Sequence, residues 1–282
     1  MSLVRLMREI RFSIDRDWAA AAHGAEGFER AHPVTNSWGG WPSAVGIAPY
    51  LVLRAGLSGP PDPVSGYLVN IKQIDVLLRE HAIPSAARHL REFGVRATGE
   101  RLVQAVWTGV CPRVPAPATL DWLELRVTPF LHVRIEKGAT DMVSVTQMFE
   151  FSAAHRLHVD RLSDDENRRL FGKCNNPGGH GHNYLVEVTI SGPPDDRTGC
   201  LMPLPRFEQV VQREVIERLD HRHLNRDVPQ FAALNPSVEN IAVVIWGLLA
   251  GRLDPARLAS VRVWETPKTY AEYAGGSDAP PQ

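Results

Sequence analysis

Apolar and polar residues alternate along Tyr184–Ser191, through Leu185, Val186, Glu187, Val188, Thr189 and Ile190, which predicts a half-buried strand. The alternation stops at Gly192-Pro193-Pro194, because proline cannot donate to a ladder and glycine permits the bend. Over Pro205–Leu219 the period changes. Phe207, Val210, Val211, Val215, Ile216 and Leu219 fall at helical spacing. Pro236-Ser237-Val238-Glu239 is a helix start with Ser237 as N-cap, and the helix runs to about Gly251. Val145–Ser152, Val261–Glu265 and Thr269–Tyr273 read as further strands. Strands, then helices, then strands predict an α+β domain: an antiparallel sheet with helices packed on one face.

The same order occurs twice. Gly59–Gly66 reads against Gly192–Gly199, and each is followed by a helical segment, Ile71–Leu78 and Leu204–Val211. Gly99–Trp107 reads against Val238–Trp246, and Arg126–Pro129 against Trp264–Pro267. Landmarks in the same order at nearly constant spacing predict two tandem copies of one domain, 1–140 and 141–282, joined near Gly138–Val143.

Composition narrows the class. The chain has 282 residues, 44% hydrophobic and 22% charged, enough for a proper core in each half. A formal net charge of -1 offers no broad basic field for nucleic acid or anionic membrane. Three cysteines, Cys111, Cys174 and Cys200, do not make a disulfide framework and fit a reducing compartment. The N-terminus has no signal-peptide core, and the longest apolar run near the end, Ile241–Ala250, is too short to span a bilayer. The cytoplasm is the expected location.

Chemistry concentrates in the second half. His180 and His182 flank Gly181, and on a strand their imidazoles share a face, which is half of a metal site. His155, just past the first strand, is a candidate third ligand, with His158 and His223 as competitors. Three histidines with an open fourth position describe a catalytic zinc site. Cys174 lies in the turn-rich loop Phe171–Gly179. A thiol near zinc and a basic residue has a lowered pKa and serves as base or nucleophile; as a fourth ligand it would instead make the site structural. Asp220-His221 is a carboxylate–imidazole couple if the local backbone is not helical, and otherwise a polar helix end. Glu265, within an apolar strand, faces either solvent or a pocket where it grips a planar pair of N–H donors.

Together these segments resemble the 6-pyruvoyltetrahydropterin synthase family, which includes the 6-carboxytetrahydropterin synthases of queuosine biosynthesis. The resemblance covers roughly Val145 to Gly275. It rests on Phe151–His155, Phe171–Pro177, His180–Tyr184, Thr198-Gly199, Leu219–His221, Glu239-Asn240 and Glu265–Pro267. It implies the tunnelling fold, or T-fold, whose sheets close into a barrel across subunits with active sites between them. A homo-oligomer is therefore expected, a trimer or a multiple of three. The resemblance also implies Zn(II) on His155, His180 and His182, Cys174 as the proton-abstracting thiolate, and Asp220 with His221 as the second proton-transfer group. Glu265 would anchor the pterin, and Glu239 would be a further substrate contact. Arg156 and Lys173 are nearby cations for the triphosphate. The implied substrate is 7,8-dihydroneopterin triphosphate, converted to 6-pyruvoyltetrahydropterin with loss of triphosphate. Five residues, Asn175–Gly179, separate Cys174 from His180, which is similar to the pyruvoyl-forming branch. The carboxy-forming branch is the alternative, and a zinc-binding scaffold without turnover is a third reading. Two departures bear on substrate. Pro205-Arg206-Phe207 stands where an acidic helix start is common, and Ser237-Val238 where the animal enzymes carry paired threonines.

The first copy lacks the chemistry. Arg16 stands opposite His155, Ile47 opposite His180, Pro49 opposite His182 and Val127 opposite Glu265. The loop Asn36–Gly46 has no cysteine, and His81 and His89 lack the Leu-Asp-His pattern. This half is expected to keep the fold without catalysis, filling a neighbour's place, and the chain to hold one zinc.

Overall fold

The computed structural model describes residues 3–14 and 48–276. The chain divides into two compact units, Met1–Val145 with Pro193–Leu201, and Thr146–Gly192 with Met202–Gln282.

In the first unit the strands β1 (Val4–Ser13), β2 (Tyr50–Gly59), β3 (Thr119–Thr128) and β4 (Leu131–Glu136) pair antiparallel in that order. Helix α1 (Ile71–Leu77) runs through one wide π turn, Leu78–Ala82, into α2 (Ile83–Phe93), and α3 spans Gly99–Val110. Period-two burial explains the layering. Ile10, Phe12, Leu53, Ala55, Leu123, Leu125, Val133 and Ile135 are buried with Ile74, Leu78, Ala86, Val103 and Val106 of the helices. The alternate positions carry charge: Arg54 bonds Glu9 at 2.8 Å and Glu124 at 3.3 Å across three strands.

The second unit holds β5 (Val143–His155), β6 (His180–Gly192), β8 (Arg257–Thr266) and β9 (Thr269–Tyr273), with β6, β8 and β9 antiparallel and a short β7 (Arg222–His223) parallel to β5. The helices are α4 (Asp164–Phe171), α5 (Leu204–Val211), α6 (Glu217–Leu219), α7 (Leu224–Asp227) and α8 (Val238–Leu249). The antiparallel ladder expected from the alternation is present, with Tyr184, Val186, Val188, Ile190, Val261 and Val263 buried, and α8, which buries Ile241, Ile245 and Leu249, lies against β8 and β9.

Several expectations shift in detail. The helix read over Pro205–Leu219 is interrupted by a wide turn at Gln212–Ile216. The first strand of this unit runs on to His155, so that residue is its last member rather than a loop residue. Helix α4 was not anticipated, although Ser163 and Glu166 form a reciprocal capping box at its start, a pattern visible in the sequence.

Element order and several local devices coincide between the two halves of the chain. Asp62 Oδ1 accepts from Val64 N, Ser65 N and Ser65 Oγ; Asp195 Oδ1 accepts from Arg197 N, Thr198 N and Thr198 Oγ1. Gly66 and Gly199 close these turns at φ of 72° and 75°, in the left-handed region that favours glycine. Both long helices are capped by a hydroxyl, with Thr98 accepting from Arg101 N and Ser237 from Asn240 N. Thr128 and Thr266 each turn a hairpin by accepting an amide two residues on, Phe130 N and Lys268 N. Arg16, Ile47 and the loop Asn36–Gly46 lie outside the described residues.

Candidate active site

β5 and β6 place their ligating residues by strand parity. His155 ends β5 on its buried face, and His180 and His182 share a face at the start of β6. One ring nitrogen from each of the three lies within 4.8 Å of the others, the one such group of histidine, cysteine or acidic side chains among the described residues. His155 Nε2 is 3.1 Å from His180 Nε2. His155 is fully buried, and its Nδ1 lies 2.7 Å from the Pro236 carbonyl oxygen. A carbonyl only accepts, so Nδ1 carries the proton and Nε2 turns its lone pair to the centre. Burial lowers the pKa of His155 to about 4, the Pro236 bond opposing and the neighbouring imidazoles adding to the fall. Burial, then His182, also lowers His180. Neutral imidazole is the ligand form. His182 Nε2 is buried with no hydrogen-bond partner, so a cation at the centre would satisfy it. The residues thus fit a metal held by three histidines.

The competitors for the third position stand outside this group. His158 Nδ1 accepts from Asn175 Nδ2 at 3.0 Å, and His223, beside Gly179, has both ring nitrogens buried without a hydrogen-bond partner.

Glu265 does not face solvent. Its Oε1 lies 3.5 Å from the Nε2 atoms of both His155 and His182. Cys174 lies outside the three-histidine group, on a loop stitched to the chain after β5. Leu157 N donates to Cys174 O at 2.8 Å, and Asn175 Nδ2 donates to Leu157 O at 2.7 Å. Asn176 O accepts from Gly179 N at 2.8 Å to close the loop. Burial, and then the Glu265 charge, raise the Cys174 thiol, the opposite of the direction expected beside a bound cation.

Asp220 and His221 form their couple. Asp220 Oδ1 accepts from Ser152 N at 2.8 Å, and Oδ2 lies 2.8 Å from His221 Nδ1. The non-helical backbone it requires is there, with Asp220 extended and His221 at φ 55°. The Ser152 amide, then His221, hold the Asp220 carboxyl below its usual range. This couple stands at the edge of β5 beside Ser152, whose hydroxyl bonds Asn183 Oδ1 at 2.8 Å on the strand face opposite the imidazoles. His221 is largely exposed on an open cleft of about 790 Å³ lined by Ser152, Asn183 and Arg222.

Arg156 Nε donates to Asn175 O at 3.2 Å and lines a cleft of about 390 Å³ with His158, Arg226 and Asn235. Lys173 is exposed, as is Glu239 in the first turn of α8. In the first unit Pro49 only accepts, from Ile14 N, and Val127 sits on β3. One participant was not read from the sequence: the Pro236 carbonyl, which is a backbone atom.

A three-histidine centre with one buried member and a carboxylate beside it fits an enzyme acting on a small molecule at a metal. The sequence pattern of 6-pyruvoyl tetrahydropterin synthase matches residues 144–276. A 6-pyruvoyl tetrahydrobiopterin synthase of Poecilia reticulata is 45% identical over 46% of this chain and 89% of its own length. That of Homo sapiens is 44% identical over 49% of this chain and 95% of its own. The solved 6-pyruvoyl tetrahydropterin synthase of Caenorhabditis elegans shares 37% identity over 48% of this chain and 96% of its own, with a TM-score of 0.45. The chain belongs to the 6-pyruvoyl tetrahydropterin synthase family, and it is an enzyme of that lyase type. The family match begins at residue 144. Among the described residues no helix is long and apolar enough to cross a membrane.

Proposed function

We propose that the chain is a zinc-dependent 6-pyruvoyltetrahydropterin synthase acting on 7,8-dihydroneopterin triphosphate, built from two tandem T-fold copies of which only the second is catalytic. The observation that carries the reading is the convergence of His155, His180 and His182, with His155 held in its ligating tautomer by Pro236 O at 2.7 Å. The matched Asp62 and Asp195 turns, the paired wide turns and the paired caps support the tandem reading.

Zinc bound by the three histidines supplies Lewis acidity toward the side-chain hydroxyls of the substrate. Glu265 offers two acceptor oxygens to the amino and ring N–H donors of the pterin edge, and Glu239 is a further polar contact. Cys174, as thiolate, removes a proton from the side-chain carbon. The triphosphate departs with the electron pair of its C–O bond toward Arg156 and Lys173. Proton shifts between carbon, nitrogen and oxygen then convert the side chain to its dicarbonyl form, so no external oxidant enters. Asp220 holds Nδ1 of His221, leaving Nε2 to carry the second proton. The exposure of His221 on an open cleft suits a site completed by another copy of the chain, in a homo-oligomer built in threes.

The test is incubation of the full-length protein with 7,8-dihydroneopterin triphosphate and mass spectrometry of the products. Triphosphate and the pyruvoyl product are expected. A carboxy product would move the assignment to the queuosine branch, and no turnover would favour a scaffold.

A further inference from the structure

The turn Asp195–Gly199 belongs in sequence to the second half, yet it packs within the first unit, on the start of α3. Three side chains at that start hold it. Thr98 Oγ1 donates to Gly199 O at 2.7 Å, Leu201 N donates to the Glu100 carboxylate at 3.0 Å, and Arg101 Nη2 donates to Asp196 Oδ1 at 2.9 Å. Glu100 and Gly199 are both buried. A Cβ at Gly199 would stand 3.0 Å from Arg101 Cγ and 3.1 Å from Thr98 Oγ1, so turn and helix fit closely.

Each of these two surfaces has a counterpart in the repeat, and there both stand open. Asp62–Gly66 reproduces the turn: Asp62 N donates to Tyr67 O and Gly66 N to Asp62 O, as Asp195 N does to Cys200 O and Gly199 N to Asp195 O. Gly66 is nevertheless exposed, with nothing within 4 Å of an added Cβ, and Val64 and Tyr67 beside it are 94% and 61% exposed. At the start of α8, Ser237 stands for Thr98 and Glu239 for Glu100. Ser237 Oγ accepts from Asn240 N, which leaves its proton for an acceptor of the kind that Gly199 O offers Thr98. Glu239 is exposed where Glu100 is buried.

We propose that the turn Asp62–Gly66 of one chain docks on the start of α8 in a second copy of the chain, repeating the contact of Asp195–Gly199 with α3. Across this interface Ser237 Oγ donates to Gly66 O, and Leu68 N donates to the Glu239 carboxylate. The second carboxylate oxygen of Glu239 stays available to a ligand. Asn240 and Pro63 stand where Arg101 and Asp196 pair, so the ion pair does not recur. Every chain carries one such turn and one such helix start. The contact is therefore heterologous, and it closes into a ring instead of pairing two chains face to face. Docking at Ser237 also sets the neighbour's turn next to Pro236, whose carbonyl fixes His155. The inference rests on the tandem reading and gives the homo-oligomer its surface, but it does not depend on the reaction.

The variant is Gly66→Asn. Asparagine tolerates the left-handed backbone, and its own chain leaves the new side chain free, but it fills the space that Ser237 and Asn240 of the neighbouring copy must occupy. In sedimentation of the full-length protein the parent is expected to assemble into more than two chains. Gly66→Asn is expected to raise the concentration of half-dissociation about ten- to a hundredfold, from overpacking at the contact. Gly251→Asn, at the far end of α8 and equally open at φ 70°, carries the same backbone strain and should leave assembly unchanged. Hydrogen exchange over residues 62–70 of the parent should slow on assembly. Assembly unchanged by Gly66→Asn would overturn the proposal, as would equal weakening by Gly251→Asn or an assembled parent with unslowed exchange over 62–70. A parent that stays a single chain at every concentration removes both the docking and the homo-oligomer. An assembled parent without turnover, dissociated by Gly66→Asn, counts against the reaction alone and leaves the docking supported.

Discussion

Gly178 and Gly179 are adjacent in the loop that carries Cys174 toward β6, but the structure predicts opposite responses to alanine. At Gly179 φ is 75°, and an added Cβ would stand 2.8 Å from His223 Nε2 and 3.0 Å from the His155 carbonyl oxygen. The left-handed backbone costs an alanine about 1–2 kcal/mol. Forcing an extra carbon against a buried ring and a strand carbonyl costs about another 1–3 kcal/mol. Gly179→Ala is therefore expected to destabilise by roughly 2–5 kcal/mol, a fall in Tm on the order of 10 °C. Because the oxygen pressed upon belongs to His155, zinc affinity should fall with it. At Gly178 the nearest contact of a new Cβ is Asn176 Oδ1 at 3.8 Å, and the backbone lies outside the left-handed region. Gly178→Ala should leave stability unchanged or raise it by up to about 1 kcal/mol. Urea denaturation of both variants, with zinc content by elemental analysis, tests the pair. Equal stability and equal zinc in the two variants would refute the argument that the Gly179 backbone holds the metal end of the site.

Elemental analysis of the purified protein should find about one zinc per chain, since one intact ligand set is present among the described residues, and two per chain would sink the inert-copy reading. Cys174→Ala should abolish turnover and retain zinc; loss of the metal in that variant would make the thiol a ligand. Burial raises Glu100 above its ordinary 4.5, opposed by the bond from Leu201 N. The native state thus binds this proton more tightly than the unfolded state, so the wild type loses stability relative to Glu100→Gln as pH rises from 4.5 through the raised pKa, and regains it as pH falls. Chemical denaturation of both proteins across that range should show the difference moving in favour of the glutamine variant as pH rises, and an unchanged difference between them would refute the assignment.

How far the chain could be read depended on whether a residue's role was local. The alternation through β6, the hydroxyl cap at Ser237 and the strands on either side of Thr266 are short-range matters, and each appears where the pattern put it. The capping box at Ser163 was equally local and was overlooked for want of an apolar run behind it, since α4 buries only Asn167. The choice of His155 over His158 and His223 had no local signal. It depended on β5 extending three residues further than its apolar pattern, which turns His155 inward toward β6.

The sequence by itself determined the α+β class, the family to which residues 144–276 belong, and the candidate ligands, because strand parity and motif spacing are properties of neighbouring residues. Tertiary structure decided the rest. Pro236 lies far along the chain from His155, yet its carbonyl selects the imidazole tautomer. Glu265 faces the histidines because β8 lies beside β6. Asp220 and His221 became a couple only when Ser152 pinned the carboxylate at a strand edge. In each case a backbone or side-chain group distant in sequence supplies the hydrogen bond or the burial that sets the chemistry, and no spacing rule encodes that.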